Sequence, residues 1–232
     1  MLAVAIIPSN QIRNVSNVPG FEAYNEHEKC HWLADRIAEE CLARGVTAQA
    51  FPLPAETAPG QTYDHQWIVE DVQRANVWLT QQGGGVMVHL HTDSGLASHT
   101  FGIFAGQRWP QSQYLVDALG RAVHELLATE SYRCFERLGD IDYNTYVFAV
   151  KAAHTPCLLE MLSHQNERDI RTFYAHADRL AVAIADALRV YAGIGIPTPR
   201  EVVLEAEIAR LKATRAELET VALRLVALAR VA

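Results

Sequence analysis

The sequence lacks the features of several large classes of protein. It has no cluster of Lys and Arg and a formal net charge of −7, which disfavours a nucleic-acid partner. The N-terminus has no charged region before its short apolar run, so we expect neither a signal peptide nor a membrane span. This predicts a protein kept in the cytoplasm unless something else releases it. The cysteines form no CxxC motif and no dense framework, so we expect reduced thiols and no disulfide scaffold: Cys30, Cys41, Cys134 and Cys157.

The composition is that of a protein with a substantial hydrophobic core. The chain has 232 residues, of which 50% are hydrophobic and 20% are charged. These values are typical of a globular protein and not of a disordered or fibrous one. The length allows one sizeable α/β domain together with a smaller appendage.

One stretch, VMVHLHTDSGLASH at 86–99, organises the rest of the chain. Three glycines precede it, and the mostly apolar residues 86–90 predict a strand buried in a parallel sheet. This strand is expected to stop at His91, where polar, turn-forming residues begin. Ligands of open α/β sheets bind beyond the carboxyl ends of the strands, so His91 is a candidate functional residue. The alternative is an ordinary surface histidine at a strand end.

Strands and helices are predicted to alternate along most of the chain. Residues 9–25 form a long polar loop, and Asn25 is a plausible N-cap for the helix that ends at Gly45. This pattern predicts an α/β fold with a mainly parallel twisted sheet flanked by helices, over 1–192. The predicted strands are 3–7, 46–51, 86–90, 100–105, 146–150 and 157–161, and the later helices are 63–81, 113–129 and 169–192.

The C-terminal part of the sequence has a different character. A linker rich in Gly and Pro at 193–200 is followed by 201–232, which contains neither residue and is rich in Ala, Leu, Glu and Arg. Its leucines fall near a heptad seam. We expect a C-terminal helix that forms a short coiled coil and makes the protein a homo-oligomer. The alternative is a helix that packs back on the domain.

Three side chains stand at the ends of predicted elements on one side of the sheet. His91 ends the central strand, Glu160 ends the last strand, and Glu28 lies in the first turn of the first helix. Imidazole and carboxylate ligands, with a separate carboxylate for proton transfer, suit zinc-assisted hydrolysis. A glutamate in a first turn is also explained by the helix dipole alone. A carboxylate at a buried strand end needs a partner, which makes Glu160 the stronger candidate.

The motifs around these residues resemble those of the zinc-dependent N-acetylmuramoyl-L-alanine amidases of the Amidase_3 type. EKCHWLADRIA at 28–38 is similar to the segment with their glutamate ligand, and HTD at 91–93 is similar to their HxN motif. LEMLSHQNERD at 159–169 is similar to the segment with their catalytic glutamate. The resemblance runs over about residues 1–192. It implies Zn²⁺ as cofactor, Glu28 and His91 as ligands, and Glu160 as the catalytic residue.

The sequence departs from that family at its first zinc ligand. The family has a histidine soon after the first strand, whereas this chain has PSNQ at 8–11, similar to a divergent branch with an SPSxQ-like turn. His99 is our first candidate for the third ligand. Asn10, His164 and Asn166 are candidates for substrate binding. His27 and His89 are set aside because we expect their side chains to point elsewhere.

The resemblance implies hydrolysis of the amide between N-acetylmuramic acid and L-alanine, with peptidoglycan as partner. Without a signal peptide, a phage endolysin released after membrane permeabilisation is the expected setting. Two alternatives remain open from the sequence. One is a zinc carboxypeptidase acting on stem peptides, and the other is an inactive wall-binding module that has lost its metal.

Overall fold

The structure is a computed structural model that describes residues 2–9, 11, 14–52, 65–105, 111–136 and 152–193. All of these residues belong to one compact unit, Met1–Ile194. The strands are β1 (Ala3–Pro8), β2 (Thr47–Ala50), β3 (Gly85–Asp93), β4 (Thr100–Phe104), β5 (Tyr132–Glu136) and β6 (Thr155–Ser163). The helices are α1 (Glu26–Ala43), α2 (His65–Gln81), α3 (Gln111–Leu127) and α4 (Glu167–Tyr191).

The strands form one six-stranded sheet in the order β2-β1-β3-β6-β4-β5. The first four strands in this order are parallel, and β4 pairs antiparallel with β6. β5 then runs parallel to β4. The prediction of an α/β fold with a mainly parallel sheet is therefore confirmed, and β3 and β6 are neighbours at its centre.

Helices cover the two faces of the sheet unequally. Side chains alternate along a strand, so Val86, Val88 and Leu90 of β3 face one way and Met87 faces the other. The first set packs in a large core with α1, α3 and α4. Met87 packs in a smaller core with α2. His91 alternates with Leu90 and so belongs to the face of the sheet that α2 covers.

Helix α1 begins and ends as its sequence predicts. The Asn25 side chain accepts a hydrogen bond from the Glu28 backbone N–H at 3.2 Å, which satisfies one free donor of the first turn. Gly45, with φ of +75°, follows the last turn. Cys30, Leu33 and Ile37 are fully buried on the inward face.

Some predicted boundaries were wrong. β3 and β6 continue to Asp93 and Ser163, so His91 and Glu160 lie inside strands instead of at their ends. The polar residues 91–93 extend the strand because they pair with β6 across a register shift. β5 was not predicted, since YRCFE shows no clear alternation. The predicted strand 146–150, the linker beyond Gly193 and the C-terminal helix 201–232 lie outside the described residues, so the coiled coil stays a prediction.

A buried carboxylate connects the β3–β4 loop, β6 and α4. Asp169 is fully buried in the first turn of α4. It accepts hydrogen bonds from the Ser98 hydroxyl, the His99 backbone N–H at 3.3 Å and the Ser163 backbone N–H at 3.0 Å. The side chain of Asn166 caps the same helix by accepting from the backbone N–H of Asp169 at 3.2 Å. These contacts fix the carboxyl edge of the sheet against α4.

Removing the Asp169 carboxylate should destabilise the fold. Asp169→Ala leaves buried donors without an acceptor, and we expect it to lower the free energy of unfolding by about 2–4 kcal/mol. Urea unfolding followed by circular dichroism measures this loss. Glu167→Ala is the matched control in the same turn, where the exposed carboxylate pairs with Arg171; we expect a loss below about 1 kcal/mol. Equal losses in the two variants would contradict this role of Asp169.

None of the described helices has the length and apolar character that a membrane span requires.

Candidate functional site

The candidate site lies near the carboxyl ends of the two central strands. His91 on β3 and Glu160 on β6 are register partners, and adjacent strands lie about 4.8 Å apart, so the two side chains stand side by side on one face. His91 is buried and Glu160 is half-buried. The structure therefore places these two predicted site residues next to each other.

Glu26, the first residue of α1, is the third member of this group. Its side chain is fully buried, and its Oε1 lies 3.3 Å from Nδ1 of His91. The same oxygen accepts a hydrogen bond from the Thr92 backbone N–H at 3.2 Å. The other oxygen, Oε2, accepts from Nδ2 of Asn14 at 2.7 Å. The contact with Glu26 fixes the direction of the His91 ring.

These contacts decide the charge of the Glu26 carboxylate. Burial alone would raise its pKa, since desolvation disfavours the anion. The hydrogen bond and charge of His91, together with hydrogen bonds from Ser9 and Asn14, outweigh burial and lower the pKa below its ordinary value. Glu26 is therefore an anion at neutral pH.

The sequence analysis named Glu28 as a ligand, whereas the structure places Glu26 against His91. Positions 26 and 28 of a helix point about 200° apart, so the two carboxylates cannot share one site easily. Glu28 is exposed, and its charge acts on Tyr174 of α4. A signal for Glu26 was present, because it lies four residues before Cys30 and seven before Leu33, on the inward face of the helix.

His99, predicted as the third metal ligand, is engaged elsewhere. Its Nε2 lies 2.7 Å from Oδ2 of Asp93, and its ring stacks on Phe101 with centroids 4.0 Å apart. Gly95 fits closely against this contact, since a Cβ there would meet Oδ2 of Asp93 at 2.7 Å. The pair shapes the β3–β4 loop.

His164 is connected to the Glu26–His91 group through Thr92. It is fully buried, its Nδ1 lies 3.0 Å from the hydroxyl of Thr92, and its ring stacks on Tyr24 with centroids 5.8 Å apart. Tyr24 donates to the same Thr92 hydroxyl at 3.1 Å. Burial lowers the pKa of His164, although the charges of Glu26 and Asp93 act in the opposite direction.

The remaining predicted substrate residues have separate positions. The Asn166 amide caps α4 and donates to the Leu96 carbonyl at 2.9 Å. Asn10 lies outside the described residues. The proposed roles of Asn10, His164 and Asn166 in substrate binding stay predictions.

His89 was set aside for a reason that was wrong. Residues two apart on a strand share a face, so His89 lies on the same side of the sheet as His91. It is buried, and burial together with the nearby His91 lowers its pKa to about 3. His89 is therefore neutral, and it lies two residues before His91 on β3.

An open groove of about 510 Å³ lies at the same edge of the sheet. It runs between the loop after β1, the β3–β4 loop and the start of α4. Leu96 projects from its rim with 81% of its surface exposed. Its lining is mixed polar and apolar: Asn17, Val18, Pro19, Ser94, Leu96, Gln165 and Glu167.

Gln165 fastens the long loop before α1 across this groove. Its Nε2 donates to the Val15 carbonyl at 2.7 Å, and its Oε1 accepts from the Asn17 backbone N–H at 3.0 Å. The same loop carries Asn14, which holds Glu26. Gln165 therefore supports the position of Glu26 through the loop backbone.

Loss of the Gln165 amide should loosen this loop while leaving the fold intact. Gln165→Ala removes both hydrogen bonds, so we expect faster hydrogen exchange over residues 15–17 and little change in Tm. Thr172→Ala is a control on α4, where the hydroxyl bonds only to the Arg168 carbonyl among the described contacts. Unchanged exchange in Gln165→Ala would show that other contacts hold the loop.

The resemblance implies a zinc ion, which needs a matching set of donor side chains. A catalytic zinc takes three protein ligands and a water. The described ranges contain no group of three or more His, Cys, Asp or Glu side chains that could hold a metal ion. Glu26 and His91 supply two donors in contact, whereas Glu28 and His99 point elsewhere. The described donor set does not complete a three-ligand zinc site.

The fold of this chain is similar to that of solved structures, although its sequence matches no known family. No protein-family model matches the sequence, and no curated protein matches it significantly. Similar solved structures include the N-acetylmuramoyl-L-alanine amidase AmiC2 of Nostoc punctiforme, with a TM-score of 0.58, 17% identity, and coverage of 83% of this chain and 97% of that chain.

Two further structures have the same architecture. The CwlD amidase from Clostridioides difficile, solved with the GerS lipoprotein, has a TM-score of 0.63 and 10% identity over 84% of this chain and all (100%) of that chain. The catalytic domain of the CD27L endolysin, which targets Clostridia difficile, has a TM-score of 0.56 and 14% identity over 84% of this chain and 99% of that chain. At these identities the likeness shows a shared fold.

Proposed function

We propose that this protein is a peptidoglycan amidase that hydrolyses the amide between N-acetylmuramic acid and L-alanine. The observation that carries the proposal is the register pairing of His91 and Glu160, with Glu26 in contact with His91. These residues stand near the carboxyl ends of the central strands, where α/β folds bind ligands. The fold shared with the solved amidases supports the choice of substrate.

Glu160 is the residue that we assign to proton transfer. As a half-buried carboxylate beside His91, it can take a proton from an attacking water, whose oxygen forms a bond with the amide carbon. The carbon–nitrogen bond then breaks, and Glu160 returns the proton to the leaving amine. The contact of Glu26 with Nδ1 orients the His91 ring next to Glu160.

The Glu160→Gln variant tests this assignment. The amide cannot act as a base, so we expect hydrolysis to fall by at least about a hundredfold with an unchanged circular dichroism spectrum. Purified peptidoglycan is the substrate, and mass spectrometry of the released peptides gives the products. Glu39→Gln, at an exposed position of α1, is the matched control. Full activity in Glu160→Gln would refute the role.

The identity of the product separates the proposed activity from its nearest alternative. Free peptides with N-terminal alanine indicate cleavage at the muramic acid amide. Release of a C-terminal residue from stem peptides would instead identify a carboxypeptidase. Binding to the wall without any product from the wild-type protein would identify an inactive wall-binding module.

Zinc dependence is a finer part of the proposal. Oε1 of Glu26 and Nδ1 of His91 lie 3.3 Å apart, and these two atoms would hold a zinc ion in place of their contact with each other. This spacing supports Glu26 and His91 as a pair of ligands. The described contacts bring no third ligand to Glu26 and His91.

Metal analysis of the purified protein tests zinc binding at this place. After gel filtration removes loosely held ions, we expect about one zinc per chain, lost in His91→Ala and retained in Glu28→Gln. Loss in Glu28→Gln with retention in Glu26→Gln would restore Glu28 as the ligand. A wild-type protein without zinc, even after zinc is added back, would refute the zinc requirement.

The biological setting of the proposal is lysis of a cell wall after release from the cytoplasm. An endolysin combines this setting with the proposed activity. Self-association through 201–232 is a separate proposal, and a strictly monomeric full-length protein in sedimentation analysis would contradict it.

A further inference from the structure

A pair of histidines on α1 is not used by the proposed site. His27 and His31 are one helical turn apart, and their ring centroids lie 4.0 Å apart with the planes tilted by 47°. With the residues between them they read HEKCH, which matches the HExxH pattern of helical zinc sites. In that pattern the two imidazoles lie on one face of a helix and bind one metal ion.

The pair points away from the Glu26–His91 group. Adjacent residues on a helix point about 100° apart, so Glu26 can face the sheet while His27 faces the flank of the helix. Lys29, in the same turns, lies over the Tyr174 ring of α4. The two histidines are therefore distinct from the side chains of the Glu26–His91 group.

The His31 ring has a nitrogen that lacks a hydrogen-bond partner. Its Nε2 is buried and makes no hydrogen bond in the described structure. An unsatisfied buried polar atom costs free energy, which coordination of a cation would recover. Burial, followed by the nearby His27, lowers the pKa of His31 to about 4. This ring is neutral at pH 7, the form that binds metals.

We propose that His27 and His31 form a two-histidine binding site for a divalent transition metal such as Ni²⁺, Cu²⁺ or Zn²⁺. Imidazole nitrogens suit these ions, and water fills the remaining coordination positions. Among the described residues no third His, Cys, Asp or Glu joins the pair. The site therefore binds metal through two protein ligands, and we assign no proteolytic reaction to it.

The test is calorimetric titration of Ni²⁺ into metal-free, full-length protein. A His91→Ala background removes binding that depends on the candidate active site, so the failure of one proposal is distinguishable from the failure of the other. In this background we expect one Ni²⁺ per chain. Adding His31→Gln should weaken binding by at least about tenfold, since even outer-shell changes weaken metal sites by this factor. His176→Gln on α4 is the matched control and should leave the affinity unchanged.

A second measurement distinguishes loss of metal binding from misfolding of the variants. Ni²⁺ should raise the Tm of the His91→Ala protein, because it binds the folded state, and should raise it much less when His31→Gln is added. Circular dichroism spectra that are equal without metal show that both proteins are folded. Equal Ni²⁺ affinity with and without His31→Gln, or no binding in the His91→Ala background, would overturn the proposal.

Discussion

The buried carboxylate of Glu26 is the interaction on which the arrangement of the site depends. An ionised carboxylate in the interior is strongly unfavourable unless nearby groups compensate it. Here Asn14 from the long loop, the Thr92 backbone N–H and the His91 ring of β3 do so together. The side chain of Glu26 therefore fixes the loop, the helix and the strand to one another. If any of them moved, the carboxylate would become exposed or would lose a hydrogen-bond donor.

The two carboxylates of the site differ in environment, which fits the separate roles that we propose for them. Glu26 is fully buried and saturated by donors, so it remains an anion that orients His91. Glu160 is half-buried in the register position beside His91. Pairs of acids in unequal surroundings are how proteins assign one group to orientation and another to proton transfer. The position of Glu160 on the central strand β6 keeps it close to His91.

The fold was predictable wherever local periodicity and global packing agree. Apolar spacing located α1 and the central strands, and the approach of His91 to Glu160 followed from the geometry of parallel sheets. The choice between Glu26 and Glu28 depended on the rotation of α1, which the inward positions Cys30 and Leu33 encode. The contact between Asp93 and His99 could not be predicted from the sequence, because it depends on the path of the β3–β4 loop. Strand β5 was missed because its sequence alternates weakly and its partner β4 runs against the central strands.

The first turns of α1 carry functional candidates that point in two different directions. Glu26 faces the sheet, and His27 and His31 face the flank, since a helix rotates successive side chains by about 100°. Asn25 fixes the start of this turn by capping it. A metal ion held by the two histidines would restrain the backbone of the same turn.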